Sequence, residues 1–282
     1  MSRRDTGVTA PRRRLATPRG PMAIAMAAVL AVAIPLFLAT AVGAKTGRPV
    51  THLAQGRSAA PALNTQAWAS DGSSAVGALF TTGRSGALAG HFCSAAVVDS
   101  PAGDLVITAA HCLTGQGQIA FVPGYAGGRA PYGAWTVTRV IVAPQWTSSG
   151  DPDDDVAFLE VSQPQTGVAI QRVTGGERLG IGPPPTGPVV VTGYPADRDA
   201  PVSCRNYARL FSPTQLVFRC GGFTSGTSGG PLLADVDPGT GLGTLIGVIG
   251  GYQQGGLTDA VSYAARLGAT VAALYRVAVS PG

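Results

Sequence analysis

The sequence predicts an all-β fold of two strand-rich halves, and three observations carry that prediction. Glycine (40 residues) and proline (22) are abundant, and charged residues make up only 12% of the 282-residue chain. Short apolar runs recur between Gly, Pro and Asp turn signals, which is the pattern of strands rather than of helices. A Gly- and Pro-rich spacer, 175–188, divides those runs into two sets of about six, as two β-barrels would require.

In chain order, the first set is Ala75–Phe80, Phe92–Val98, Leu105–Ala109, Ile119–Val122, Trp135–Val142 and Val156–Val161. The second is Val189–Thr192, Ser203–Leu210, Gln215–Arg219, Leu232–Ala234, Leu245–Ile249 and Val261–Ala265. Thr270–Val277 closes the chain as a short helix, with Val271, Leu274 and Tyr275 on one face.

Before the strands, residues 1–44 read as a leader, 45–70 as a linker or short propeptide, and 71–282 as the folded domain. The leader holds six arginines and one acid, Asp5, followed by an apolar run from Met22 to Ala44. Val42-Gly43-Ala44 supplies small residues for cleavage after Ala44, the grammar of a secretory signal. The same run is long enough for an uncleaved anchor, with the arginines keeping that end cytoplasmic. Either way the domain is exported, secreted or held at the outer face of the cytoplasmic membrane, and it meets the membrane only through this segment. Beyond residue 44 the chain carries 14 basic and 14 acidic side chains, so the pI of about 9.3 belongs to the leader and argues against nucleic-acid binding.

Export makes the four cysteines legible. Cys204 and Cys220 flank a hairpin turning at Ser212-Pro213-Thr214, and Cys93 and Cys112 flank another turning near Ser100–Gly103. Pairing 93–112 and 204–220 follows. The rival reading makes His91, Cys93, His111 and Cys112 metal ligands. An adjacent His-Cys pair cannot easily reach one tetrahedral ion, and an oxidising compartment favours disulfides. No metal and no cofactor are expected.

The chemistry centres on Gly226-Thr227-Ser228-Gly229-Gly230-Pro231. Glycines around a serine let backbone approach a substrate carbonyl and leave N–H groups to receive an oxyanion. Ser228 needs a base, and the chain has three histidines, His52, His91 and His111. His52 sits in the polar linker, whereas His111 ends the apolar strand Leu105–Ala109 and is tethered by a disulfide. The imidazole in turn needs a buried acceptor. Among Asp151, Asp153, Asp154 and Asp155, only Asp155 runs straight into an apolar strand, leaving Asp153 and Asp154 in a solvated loop. Gly226-Thr-Ser228-Gly-Gly230 also fits the nucleophile elbow of α/β-hydrolases, but no histidine follows Ser228, and that family needs one.

Thr108-Ala-Ala-His-Cys112, Asp155-Val-Ala-Phe-Leu159 and Gly226–Pro231, in that order, resemble the three signatures of the trypsin/chymotrypsin-like serine peptidases. His91-Phe92-Cys93 resembles the strand preceding the family's histidine disulfide, and Ala75–Phe80 and Val191-Thr-Gly-Tyr-Pro195 are similar to bacterial members, including the glutamyl-endopeptidase-like branch. The resemblance covers about residues 75–280 and implies two perpendicular six-stranded barrels with the site in the crevice between them. It implies that His111 is the general base, Asp155 its orienter and Ser228 the nucleophile, with the N–H groups of Gly226 and Ser228 as oxyanion hole. A monomeric endopeptidase acting on proteins or peptides is the implied protein. The alternative is a catalytically silent relative serving as a binding module, which would have lost one of the three residues.

Two further implications concern activation and substrate. Animal members carry Asp where Thr227 stands, so activation through an inserted N-terminus is not expected here. The family's primary pocket maps onto Gly222, Phe223, Thr224, Gly250, Gly251 and Tyr252, with Gly222 at its base and Ile249 where the glutamyl branch has histidine. That set is neutral, and a preference for neutral, apolar residues on the acyl side of the cut is the expectation.

Overall fold

Alternation along the strands determines which residues meet, since successive side chains leave a strand on opposite faces. The computed structural model describes residues 62–182 and 186–280. The leader, His52 and residues 45–61 of the expected linker lie outside the described residues, as do residues 183–185 of the spacer. No helix among the described residues is long and apolar enough to cross a membrane.

A two-residue strand, β1 (Trp68–Ala69), comes first. Next come β2 (Val76–Thr82), β3 (Leu88–Val97), β4 (Leu105–Thr108), β5 (Ile119–Pro123), β6 (Trp135–Val142) and β7 (Ala157–Ser162). These six close into an antiparallel barrel in the order β2-β3-β4-β7-β6-β5. Leu79, Val97, Phe121, Trp135 and Leu159 fill its interior. From the opposite face of β2, Val76, Ala78 and Phe80 join a second apolar layer that includes Tyr194, Leu233 and Val248 from the other half of the chain. The two halves therefore share a core.

The second half contributes β8 (Arg178–Leu179), β9 (Val189–Gly193), β10 (Val202–Asn206), β11 (Ala208–Leu210), β12 (Gln215–Arg219), β13 (Pro231–Ala234), β14 (Thr244–Ile249) and β15 (Val261–Arg266). The all-β class and the pair of barrel halves are as expected, but this half is not a closed six-stranded ladder. It is a curled nine-stranded sheet in the order β1-β10-β9-β13-β14-β15-β12-β11, with β8 parallel to β14. That order ends at β1 and β11, and across the seam between these ends two devices join β10 to the end of β12. The Cys204–Cys220 disulfide links the two sides, and Cys93–Cys112 forms as well. Closing a loop of 16 residues this way stabilises the fold by about 3 kcal/mol in the chain-entropy account. The second device is the chain before β2. Asn64 N–H donates to Arg205 O (2.7 Å), β1 pairs with β10, and Ala67 N–H donates to Gly221 O (2.8 Å). Residues from Asn64 onward are thus part of the sheet, so the linker expected over 45–70 ends before them.

The C-terminal helix, α-helical over Ala269–Ala278, follows its predicted period. Val271, Leu274 and Ala278 enter the shared core, and Tyr275 packs on Phe158 and donates to Asp99 O (2.8 Å).

One buried group stands apart from the apolar packing. Glu177 is fully buried where residues 175–179 cross from the first half to the second. Its Oε2 accepts Gly243 N–H (2.6 Å), while Oε1 has no hydrogen-bond partner among the described residues. Burial pushes its carboxyl up to about 7 from 4.5, opposed by the Gly243 bond and reinforced by Asp99. The folded protein therefore holds this proton more tightly than the unfolded chain does. Its contribution to stability is complete below pH 4.5 and is lost as pH rises to about 7, on the order of 3 kcal/mol in all. Glu177→Gln keeps an oxygen for Gly243 and carries no charge. In urea denaturation its stability relative to wild type should rise between pH 5 and pH 8, and a difference that stays flat over that range would contradict the assignment.

Candidate active site

Register brings the acid to the histidine. β4 and β7 pair antiparallel with Thr108 opposite Ala157, so the residues just after β4 lie beside those just before β7. His111 sits there in a short 3-10 turn, Ala110–Leu113, tied to β3 by the Cys93–Cys112 disulfide. Asp155, wholly buried, makes two bonds to it: Oδ1 accepts His111 N–H (2.8 Å) and Oδ2 faces His111 Nδ1 (2.7 Å). Oδ2 also accepts Gly251 N–H (2.7 Å) from the second half. A carboxylate with three N–H partners is fixed in the plane that an imidazole needs.

The neighbouring acids are placed elsewhere. Pro152–Asp154 forms a 3-10 turn capped by the Asp151 side chain. Asp153 Oδ1 accepts Gln215 Nε2–H (3.0 Å). Asp154 is buried rather than solvated, unlike the loop residue expected from sequence, and its carboxyl is raised by that burial and then by Asp151 and Asp153. It faces the C-terminal helix beside Thr270 and Leu274, not His111.

His111 and Ser228 line one cleft of about 670 Å³. The turn that carries Ser228 is held by backbone on every side. Gly226 has φ +95°, and a Cβ there would stand 2.5 Å from Ala196 N and 2.7 Å from Tyr194 O. Gly229, φ +78°, passes so close to Ser94 O and Thr108 Oγ1 that a side chain would collide with both. Ser225 O accepts Ala196 N–H (2.8 Å), and Thr227 O accepts Gly230 N–H (3.0 Å). In a trans peptide C=O and N–H point in opposite directions. Holding those two carbonyls therefore turns the N–H groups of Gly226 and Ser228 the other way, and neither has an acceptor among the described residues.

Sequence reasoning missed Ser94. Its buried hydroxyl accepts Tyr194 N–H (2.8 Å) and donates to Gly226 O (3.0 Å), while its N–H donates to Ser228 O (2.7 Å). One residue of the first barrel thus grips both ends of the serine turn, a role that a serine in an apolar strand does not advertise. Thr227, at the position where an acid would serve an inserted N-terminus, is buried and donates its hydroxyl to Thr224 O (2.8 Å).

The expected pocket residues divide. Phe223 and Thr224 line the cleft, as does Ile249; Gly222, Gly250, Gly251 and Tyr252 do not. Gly222 faces Ala67, Gly250 faces Asp155 and Gly251 faces Gln215. Tyr252 turns outward to stack with Phe211 and Tyr263. Their places in the lining are taken by Gln253–Asp259 and Ser262. As to metal, Cys93, His111 and Cys112 cluster closely, but both sulfurs are consumed in the disulfide, and one imidazole makes no site. His91 is buried between Phe80 and Tyr125, with Nε2 3.2 Å from Arg198 O.

Known proteins carry the same architecture. Among solved structures, the chain is similar to the protease Anisep from Arthrobacter nicotinovorans (TM-score 0.63, 26% identity, covering 76% of this chain and 99% of that one). It is also similar to the thermostable serine protease AL20 from an extremophilic microorganism (TM-score 0.62, 25% identity, covering 74% and 99%). A Glu endopeptidase shares the fold at 16% identity (TM-score 0.58, covering 74% and 91%). No match is found among the curated proteins. A family model described as a trypsin-like peptidase domain matches residues 93–248, more than half of the chain. On that match and that fold, the chain belongs to the trypsin-like peptidase family and is a serine peptidase hydrolase.

Proposed function

We propose that the chain is an exported endopeptidase that cleaves proteins or peptides through Ser228, His111 and Asp155. The observation that carries this is the buried Asp155 carboxylate, bound to both His111 N–H and Nδ1 in a cleft that Ser228 shares. With Nδ1–H held by Asp155, Nε2 is the basic nitrogen, the tautomer a general base requires. Ser228 Oγ attacks the scissile carbonyl while His111 Nε2 takes its proton. The Gly226 and Ser228 N–H groups receive the oxyanion, and Asp155 stabilises the imidazolium. Collapse returns the proton to the leaving amine and leaves an acyl-enzyme on Ser228. Water then attacks by the same route, restoring serine and releasing the acid. The Ser228 hydroxyl donates to no acceptor among the described residues, so the serine–histidine bond forms as substrate arrives, as in many unliganded sites. Because Thr227 is satisfied within its own turn, the serine loop takes this shape without an inserted N-terminus. Export rests on the arginine-rich leader with its apolar run and on the two disulfides.

The test is digestion of a peptide library by the purified full chain, with products identified by mass. Internal cuts that are lost on Ser228→Ala are expected. A folded protein that cuts no peptide, or cuts equally well without Ser228, would contradict the proposal.

A further inference from the structure

One side chain in the cleft has no part in the chemistry described above. Asp259 lines it, is exposed, and its carboxylate makes no hydrogen bond or ion pair among the described residues. Among the described residues it is the only acid in the lining, and no lysine or arginine lines the cleft to neutralise it. Its backbone is fixed nevertheless. Asp259 O accepts Phe223 N–H (3.2 Å), and the next carbonyl, Ala260 O, accepts Cys220 N–H (3.2 Å). Asp259 is thereby held against the segment that leads through Phe223 and Thr224 to Ser228.

The loop before it is held in a costly shape. Gln253 and Gln254 have φ of 55° and 52°, a region that side chains other than glycine seldom occupy. Such backbone persists where the surroundings over-determine it, and it gathers at ligand sites. Here it lies in Gln253–Asp259, the stretch that lines the cleft beside Phe223–Ser228.

We propose that Asp259 is a specificity-determining residue that admits a cationic side chain, lysine or arginine, beside the bond to be cut. The proposal rests on the peptidase reading above. Phe223 and Ile249 offer apolar surface to the aliphatic stem of such a side chain, and the carboxylate meets its charged end. Between low-dielectric walls that pairing is stronger than on an open face. A glutamate in the same cleft meets a like charge. A leucine or phenylalanine covers the carboxylate and gives it no partner. Of the neutral residues expected from sequence, Phe223 and Thr224 line the cleft while Gly222, Gly250, Gly251 and Tyr252 do not, and Asp259 was not among them.

The experiment compares wild type with Asp259→Asn on one peptide library, reading the residues on both sides of every cut, alongside labelling of Ser228 by a fluorophosphonate probe. Lysine and arginine should be enriched at least tenfold on one side of the cut by wild type. Asp259→Asn should lose that enrichment, with cuts falling beside lysine and arginine no more often than beside leucine and phenylalanine. No enrichment in wild type, or an equal enrichment in the variant, overturns the role of Asp259 while Ser228 labelling leaves the peptidase reading intact. Absence of both cleavage and labelling overturns the two together.

Discussion

Alanine in place of either Ser228 or His111 is expected to lower kcat by on the order of 10⁶-fold while leaving KM and thermal stability close to wild type. The size follows from the arrangement. Ser228 is not itself a strong nucleophile, and only proton transfer to His111 makes it one, so losing either partner removes the same step. The double variant should accordingly be no slower than the single ones, because residues that act as a unit are not additive. What remains comes from the two free N–H groups and from substrate binding, which neither substitution touches. The fold should survive: Ser228 is half-buried and makes no side-chain hydrogen bond among the described residues, and His111 leaves a partly exposed gap. Steady-state kinetics on one peptide substrate decides the matter. Losses that multiply in the double variant would mean that the two residues do not share a step.

Asp155→Asn is the second large effect, expected at about 10⁴-fold in kcat. The carboxylate accepts three N–H groups, two from His111 and one from Gly251. An amide has a single acceptor oxygen, so its NH₂ must face one of those donors or force the imidazole into the other tautomer, with the proton on Nε2 where the base should be. The adjacent acids provide the control. Asp153 is engaged by Gln215 and Asp154 faces the C-terminal helix, so Asp153→Asn and Asp154→Asn should stay within about threefold of wild type. A crippled Asp153→Asn or Asp154→Asn beside an active Asp155→Asn would place the orienting acid elsewhere.

The reading of sequence succeeded where information was local. Each barrel strand is a run of alternating or continuous apolar residues, and each is present within a residue or two of its predicted ends, β3 apart, which starts earlier, at Leu88. Asp155 was legible because an acid that enters an apolar strand is carried inward with it. The expected strand Ser203–Leu210 instead breaks at Tyr207, where the Asn206 side chain takes Tyr207 N–H and reaches across to Arg219 O. A single asparagine does not announce that in a one-dimensional pattern. β1 and β8 are two residues each, too short to show any period, so the strand that helps to bridge the seam read as linker. Glu177, between Gly176 and Arg178, looks like an exposed turn, and only the return of the chain at Gly243 buries it. Most of the cleft lining was hidden for the same reason. Much of that lining is drawn from Phe223–Ser228 and from Gln253–Asp259, and the second stretch holds two left-handed glutamines that no one-dimensional pattern announces.

The central claim is that Ser228 is activated by an imidazole that Asp155 holds in one tautomer. A fluorophosphonate probe reads activation directly, because its phosphorus reacts with an activated serine and not with an ordinary one. The full chain, incubated with the probe at neutral pH and mapped by peptide mass, should carry one adduct, on Ser228. The label should be absent from Ser228→Ala and slowed by several orders of magnitude in His111→Ala. A folded wild-type protein that takes up no probe, or one labelled as fast without His111 as with it, would contradict the account.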